Sequence, residues 1–297
     1  GCIMEGISSE AASLAGHLGL NNLIVIYDNN RITIEGNTAL AFSEDVAARY
    51  MAYKWNVLRV SDANDFEMLE QAMRMARHES ERPTLIIVDS HIAYGSPNKQ
   101  DTSGAHGSPL GEEEIRATKI NYGWDPDKTF HIPEQLHGYR QEIIDRGNKI
   151  ESDWNAMFEQ YRAENEDYAR ELDMIQNGEM PADWNCCLPT FLPDEKGLAT
   201  RSSNQIILNE IASKIPWFMG GSADLAPSTK TFIKNEDAFS KENRKGRNFH
   251  FGIREHAMGA IANGMALSGL RPFVSTFMVF SDFLRPSLRL SALMEQP

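Results

Sequence analysis

The chain has 297 residues, 41% hydrophobic and 24% charged, an ordinary globular composition. At roughly 100–200 residues per domain that length predicts two domains. Asp and Glu outnumber Lys and Arg by 42 to 29, for a formal net charge of -13. A body this acidic repels phosphate backbones and anionic lipid, so neither a nucleic acid nor a membrane is expected as a partner.

In chain order, Ile7 to Leu18 reads as a helix, and Leu23–Tyr27 as a short apolar strand without alternation, the pattern of a strand buried on both faces. Ser43 begins a second predicted helix running to Tyr50. Trp55–Val60 reads as a strand, Phe66–Arg77 as an amphipathic helix and Thr84–Val88 as another strand. Strands alternating with helices predict a doubly wound α/β fold with a mainly parallel sheet. Tyr94–Leu110, rich in Gly, Ser, Pro and Asn, is a long loop of the kind that carries function. Ser152 to Leu172 returns to helical spacing. Prolines and glycines between 178 and 197 mark a linker, which divides the chain into domains 1–177 and 198–297. In the second domain the expected order is helix Gln205–Lys214, strand Trp217–Met219, a loop over 220–228, strand Phe249–Phe251, helix Glu255–Leu267, strand Pro272–Ser275 and a last helix.

Three cysteines, Cys2, Cys186 and Cys187, make no disulfide framework and suit a reducing cytoplasm, where the protein is expected. No apolar run is long enough for a membrane span. The chain opens at Gly1-Cys2 and stops at Met294–Pro297, just after helical spacing, so a piece of a longer protein is expected.

Several residues could carry chemistry, each with a plainer alternative. Asn30 follows the first strand, at the sheet edge where open α/β folds bind ligands. With a nearby backbone carbonyl it could hold Mg2+ or Ca2+, or it could simply build a turn. Glu5 precedes a helix, where its charge alone is favourable. Gly1 leaves room for a phosphate to approach the backbone. His106, between two glycines in the long loop, could donate to a phosphate or a substrate oxygen. Glu255 stands where a strand becomes an apolar helix. It either gives and takes a proton there or pairs with Arg254. Phe277 and Phe280 are core residues or the wall of a ring pocket.

Taken together, Met4-Glu5-Gly6-Ile7-Ser8, Tyr27-Asp28-Asn29-Asn30, Gly95-Ser96-Pro97-Asn98-Lys99, His106-Gly107, the 220–228 loop, Gly252-Ile253-Arg254-Glu255 and Ser275-Thr276-Phe277 resemble transketolases, in the family's order and near its spacing. The resemblance implies two doubly wound, mainly parallel-sheet α/β domains. A diphosphate-binding domain shortened at its start comes first, then a pyrimidine-binding domain, with thiamine diphosphate and a divalent cation as cofactors. It implies transfer of a two-carbon ketol unit from a ketose phosphate to an aldose phosphate, in a homodimer whose active sites lie between subunits. Asn30 and the Ile32 carbonyl would hold the metal. Gly1 matches the second glycine of the family's Gly-Asp-Gly motif. Glu255 would hydrogen-bond the aminopyrimidine and so promote proton removal from the thiazolium. Phe277 and Phe280 would flank the pyrimidine, Asp224 and Ile92 would contact the thiamine, and Glu5 would link the two cofactor sites. His106 would serve cofactor and substrate, and Arg201 and Ser228 the sugar phosphate. The resemblance also leaves open a sister enzyme, dihydroxyacetone synthase or deoxyxylulose-phosphate synthase, or an inactive transketolase-like binding protein. Alone, this stretch is expected to be inactive.

Overall fold

The computed structural model describes residues 1–297, which fall into two compact units: Gly1–Thr129 with Ser240–Glu242, and Phe130–Phe239 with Asn243–Pro297.

In the first unit, helix α1 (Gly6–Leu18) leads into strand β1 (Ile24–Asn29). Helix α2 (Val46–Ala52), strand β2 (Asn56–Val60), helix α3 (Phe66–His78) and strand β3 (Thr84–Asp89) follow. The three strands are parallel in the order β1-β3-β2, with Ile24 and Asn56 both opposite Thr84. The central strand is the one sheathed on both sides: Leu85, Ile86, Ile87 and Val88 are all buried. On one face they meet Ala12, Ala15, Tyr50 and Trp55, and on the other Ala72 and Ala76 of α3.

The expectation of a doubly buried first strand is corrected. β1 pairs on one side only, and Ile26 is 58% exposed. An unalternated apolar run is as compatible with an edge as with a centre, and pairing decides between them. Helix α2 starts later than Ser43, because the Asp45 side chain accepts from Ala48 N at 3.0 Å and caps it. Asp65 caps α3 in the same way through Met68 N, at 2.9 Å.

The second unit holds the long helix α5 (Leu136–Glu164) and α6 (Glu166–Asn177), then α7 (Thr200–Lys214), β4 (Phe218–Ser222), a short α8 (Ala226–Thr229), β5 (Asn248–His250), α9 (Glu255–Leu267), β6 (Arg271–Ser275) and α10 (Ser281–Leu293). Helix α4 (Glu112–Asn121) closes the first unit. The single helix expected over 152–172 breaks at Asn165, whose φ of -138° leaves the helical region. Arg162 grips Asp173 across the break with two bonds of 2.5 and 2.6 Å. No residue of α5 is buried; its rings Trp154, Phe158 and Tyr161 stack on one another, and the Arg162 guanidinium lies over Phe158 at 4.7 Å.

The second sheet is parallel in the order β5-β4-β6. Helix α9 rests on α10 at Gly259, where an added Cβ would come within 2.8 Å of Ser287 Cβ. Ser287, 1% exposed, donates to the His256 carbonyl at 2.8 Å and locks the two helices in place. No helix of the molecule is long and apolar enough to cross a membrane.

The long loop after β3 is anchored from below. Glu114, buried in the first turn of α4, accepts from the Ser96 hydroxyl, from Asn98 Nδ2 at 2.9 Å and from Asn98 N at 2.8 Å. The Ser96 hydroxyl, then the Asn98 side chain and backbone, hold the Glu114 carboxyl down to about 2. A depressed carboxyl stabilises the fold fully above its ordinary value of 4.5, and that contribution disappears as pH falls through about 2. In Glu114→Gln the acid-dependent loss of melting temperature across that interval should shrink. Trypsin should also cut after Lys99 several-fold faster than in the parent, because the loop's anchor is gone.

Candidate functional site

The first unit presents its polar residues at the carboxyl ends of β1 and β3. Asn29 donates to Asp89 Oδ1 at 2.6 Å, and Arg59 donates to Asp89 Oδ2 at 2.8 Å. Burial pushes the Asp89 carboxyl up, yet the Arg59 and Asn29 hydrogen bonds outweigh it and leave it below the ordinary carboxylate range. Ser90 donates to Asp28, whose other oxygen accepts from Asn30 Nδ2 at 3.2 Å. Arg31 adopts a left-handed φ of 61°, and the chain folds back so that Ile32 N reaches Asn30 Oδ1 at 3.0 Å. Asn30 and Ile32 thus face one open cavity of about 570 Å³, together with Asp62, Asp89, Ser90 and His91. His91 is paired with Asp101 at 2.8 Å on its rim.

A neighbouring cavity of about 380 Å³ brings together Gly1, Glu5 and His106, and Asn37 lines both cavities. Glu5 occupies the N-cap of α1, but its side chain makes no capping hydrogen bond, so its carboxylate is not engaged in ending the helix. His106 follows a short turn, Ser103–Ala105, and its N–H bonds Ser103 O at 3.0 Å. Ile92 lines neither cavity; its carbonyl accepts from Asp101 N at 3.1 Å, which fixes the loop's entry.

In the second unit Gly252, at a φ of 67°, turns the chain between β5 and α9 and sets Glu255 at the first position of the helix. Glu255 is 6% exposed, with Ala257 and Met258 fully buried behind it. Its Oε1 accepts from the Thr276 hydroxyl at 3.1 Å, just beyond the end of β6. Arg254 donates to the Phe251 carbonyl at 3.0 Å. Phe277 and Phe280 stack at 6.1 Å and 16° between planes, and Phe277 is 40% exposed with Val279 at 71%. The core reading of this stretch is therefore overturned, because the turn over 278–280 lifts it out of the packed interior.

Asp224 follows β4 in a left-handed conformation and lines a third cavity, of about 530 Å³, with Ser222, Lys230, Phe232 and His250. Arg201, in the first turn of α7, and Ser228, in α8, are both exposed. Lys230 Nζ donates to Ser202 Oγ at 2.8 Å and so ties these two elements together. Sequence reasoning passed over Glu114 and Lys230. Three adjacent glutamates opening α4 and a lysine two places after Ser228 were the only signals available.

Comparison with known proteins gives a consistent result. A family model described as the transketolase thiamine diphosphate binding domain matches residues 1–181, and one for the transketolase pyrimidine binding domain matches 196–297. The chain is 49% identical to a transketolase of Bacillus subtilis and 46% identical to one of Nostoc, covering 100% and 99% of this chain but only 45% and 44% of those proteins. It therefore spans less than half the length of these relatives. Among solved structures it is similar to a Pichia stipitis transketolase in complex with sedoheptulose-7-phosphate, at a TM-score of 0.94 and 38% identity over 100% of this chain and 45% of that one. A Campylobacter jejuni transketolase gives a TM-score of 0.85 at 40% identity, over 98% of this chain and 44% of its own. With both of its domain types matched along nearly its whole length, the chain belongs to the transketolase family.

Proposed function

We propose that the protein carrying this chain is a transketolase. It transfers a two-carbon ketol unit from a ketose phosphate of the xylulose 5-phosphate type to an aldose phosphate of the ribose 5-phosphate type. The observation that carries this reading is Glu255: an acid enclosed at a helix start, steadied by Thr276, beside two stacked and half-open phenylalanine rings. The Pichia stipitis relatives, solved with sedoheptulose-7-phosphate and xylulose-5-phosphate, support sugar phosphates as the substrate class.

Thiamine diphosphate, when bound, supplies a thiazolium that takes up the electron pair of the broken carbon–carbon bond. Glu255 holds a proton at a ring nitrogen of the aminopyrimidine, which raises the acidity of the ring's amino group. Phe277 and Phe280 offer an aromatic face to that ring. Asp224 and Ile92 position the thiamine, Gly1 leaves room for the diphosphate, and His106 donates to phosphate or substrate oxygen. No group of three or more His, Cys, Asp or Glu side chains could hold a metal by itself. Asn30 Oδ1 and the Ile32 carbonyl are hard oxygen donors of the kind that would hold Mg2+ or Ca2+. Arg201 and Ser228 take the sugar phosphate, the arginine as a charged fork. Glu5, whose carboxylate caps nothing, is assigned to the contact between two copies of the chain, each active site being shared across a homodimer. The three exposed free cysteines suit a reducing cytoplasm.

The test is a coupled assay of the full-length protein. Turnover with xylulose 5-phosphate and ribose 5-phosphate is expected. Turnover only with formaldehyde as acceptor, or only with pyruvate plus glyceraldehyde 3-phosphate, would replace this reading with a sister enzyme. No turnover with any of them would leave a binding protein. In the same protein Glu255→Ala should lower kcat by about a hundredfold or more with little change in melting temperature; near-parental turnover would remove Glu255 from the proton chemistry. Arg201→Ala should raise KM for ribose 5-phosphate about tenfold and that for ribose far less. Equal effects on both would take Arg201 out of the phosphate site.

A further inference from the structure

We infer that Lys230 is a specificity-determining residue, the second cation that receives the phosphate of the sugar substrate. This inference rests on the sugar-phosphate reading above. It starts from a half-buried cation that no carboxylate neutralises: in the same unit Lys214 pairs with Asp183 and Arg247 with Glu236, whereas Lys230 makes no ion pair. It is half-buried, and its ammonium meets only the neutral hydroxyl of Ser202, at 2.8 Å. A half-desolvated ammonium with one neutral acceptor still has two N–H donors to satisfy.

Its location says what would satisfy them. Lys230 lines the 530 Å³ cavity with Ser222, Asp224, Phe232 and His250. Asp224 faces the same space without pairing with it, and His250 is the other titratable group there. Ser202 directly follows Arg201, and Lys230 comes two residues after Ser228. The lysine therefore spans the two elements that carry the proposed phosphate contacts. A left-handed φ of 56° at Lys230 turns the chain sharply out of α8, so the side chain reaches α7 rather than running on with its own helix. An approaching dianion finds a flexible point charge that swings a short way from Ser202, the residue next to Arg201 in α7. A neutral sugar gains nothing from that charge.

The test uses the full-length protein with thiamine diphosphate and Mg2+. Lys230→Met keeps the length and apolar stem of the side chain and removes the charge. It should raise KM for ribose 5-phosphate about tenfold while KM for ribose moves less than about twofold, and Lys230→Arg should recover most of the difference. Lys230→Gln supplies a second neutral side chain if the methionine variant does not fold. Equal shifts for both sugars, or none for either, would overturn the inference. Calorimetric titration of ribose 5-phosphate and of ribose, without a donor, separates this inference from the proposed activity. If the parent protein shows no ketol transfer, weaker binding of only the phosphorylated sugar by Lys230→Met still upholds Lys230 as an anion contact. Unchanged binding of ribose 5-phosphate would refute it.

Discussion

An acid side chain withdrawn from water at the head of a helix is the constraint around which the second unit is organised. Glu255 sits at the first position of α9, the end of the helix dipole that favours negative charge. Ala257 and Met258 exclude solvent behind it, and Thr276 meets its Oε1 from beyond β6. Gly252 before it and the α9–α10 contact after it fix where that carboxyl stands. The short parallel sheet supplies the platform: β5 leads into the turn before Glu255, and β6 ends at the residue before Thr276.

The first unit solves a different problem, how to present oxygen atoms rather than to hide one. Its central strand is sealed on both faces, so polar residues collect where β1 and β3 end. Asp28, Asn29, Asp89 and Ser90 bind one another there, and Asn30 is held in a back-folded turn by the Ile32 N–H. Below the loop that carries His106, Glu114 takes three hydrogen bonds, which makes a Gly- and Pro-rich segment a fixed support.

Much of this was legible in the sequence, for identifiable reasons. Helix α9 runs over Glu255–Leu267 as read, since its apolar spacing and the strand before it leave little choice. The parallel α/β layout followed from the alternation of short apolar runs with amphipathic stretches. What failed was what depends on partners. Leu23–Tyr27 looks like a central strand but pairs on one side only, and edge status is a property of the sheet. Phe277 and Phe280 read equally as core or as the wall of a ring pocket, and only the fold shows Phe277 exposed at a turn with Phe280 half-buried beside it. The break at Asn165 is invisible to hydrophobic periodicity, because the stripe continues through it. Lys230 could not be picked out among the basic residues, since what marks it is its bond to Ser202 on another helix and its place in a cavity with Asp224 and His250, facts of three dimensions. Gly1, Glu5 and His106 lie more than a hundred positions apart from first to last, and only the fold gathers them around one cavity.

The seam between α9 and α10 constrains how the protein can vary. At position 259 the helices meet with no space for even a methyl group, and Ser287 opposite has its hydroxyl already committed to the His256 carbonyl. A single extra carbon there would prise the helices apart four residues downstream of Glu255, on the same side of the helix one turn away. A side chain at this spot would therefore disturb the carboxyl one turn away, although position 259 lines none of the cavities described above.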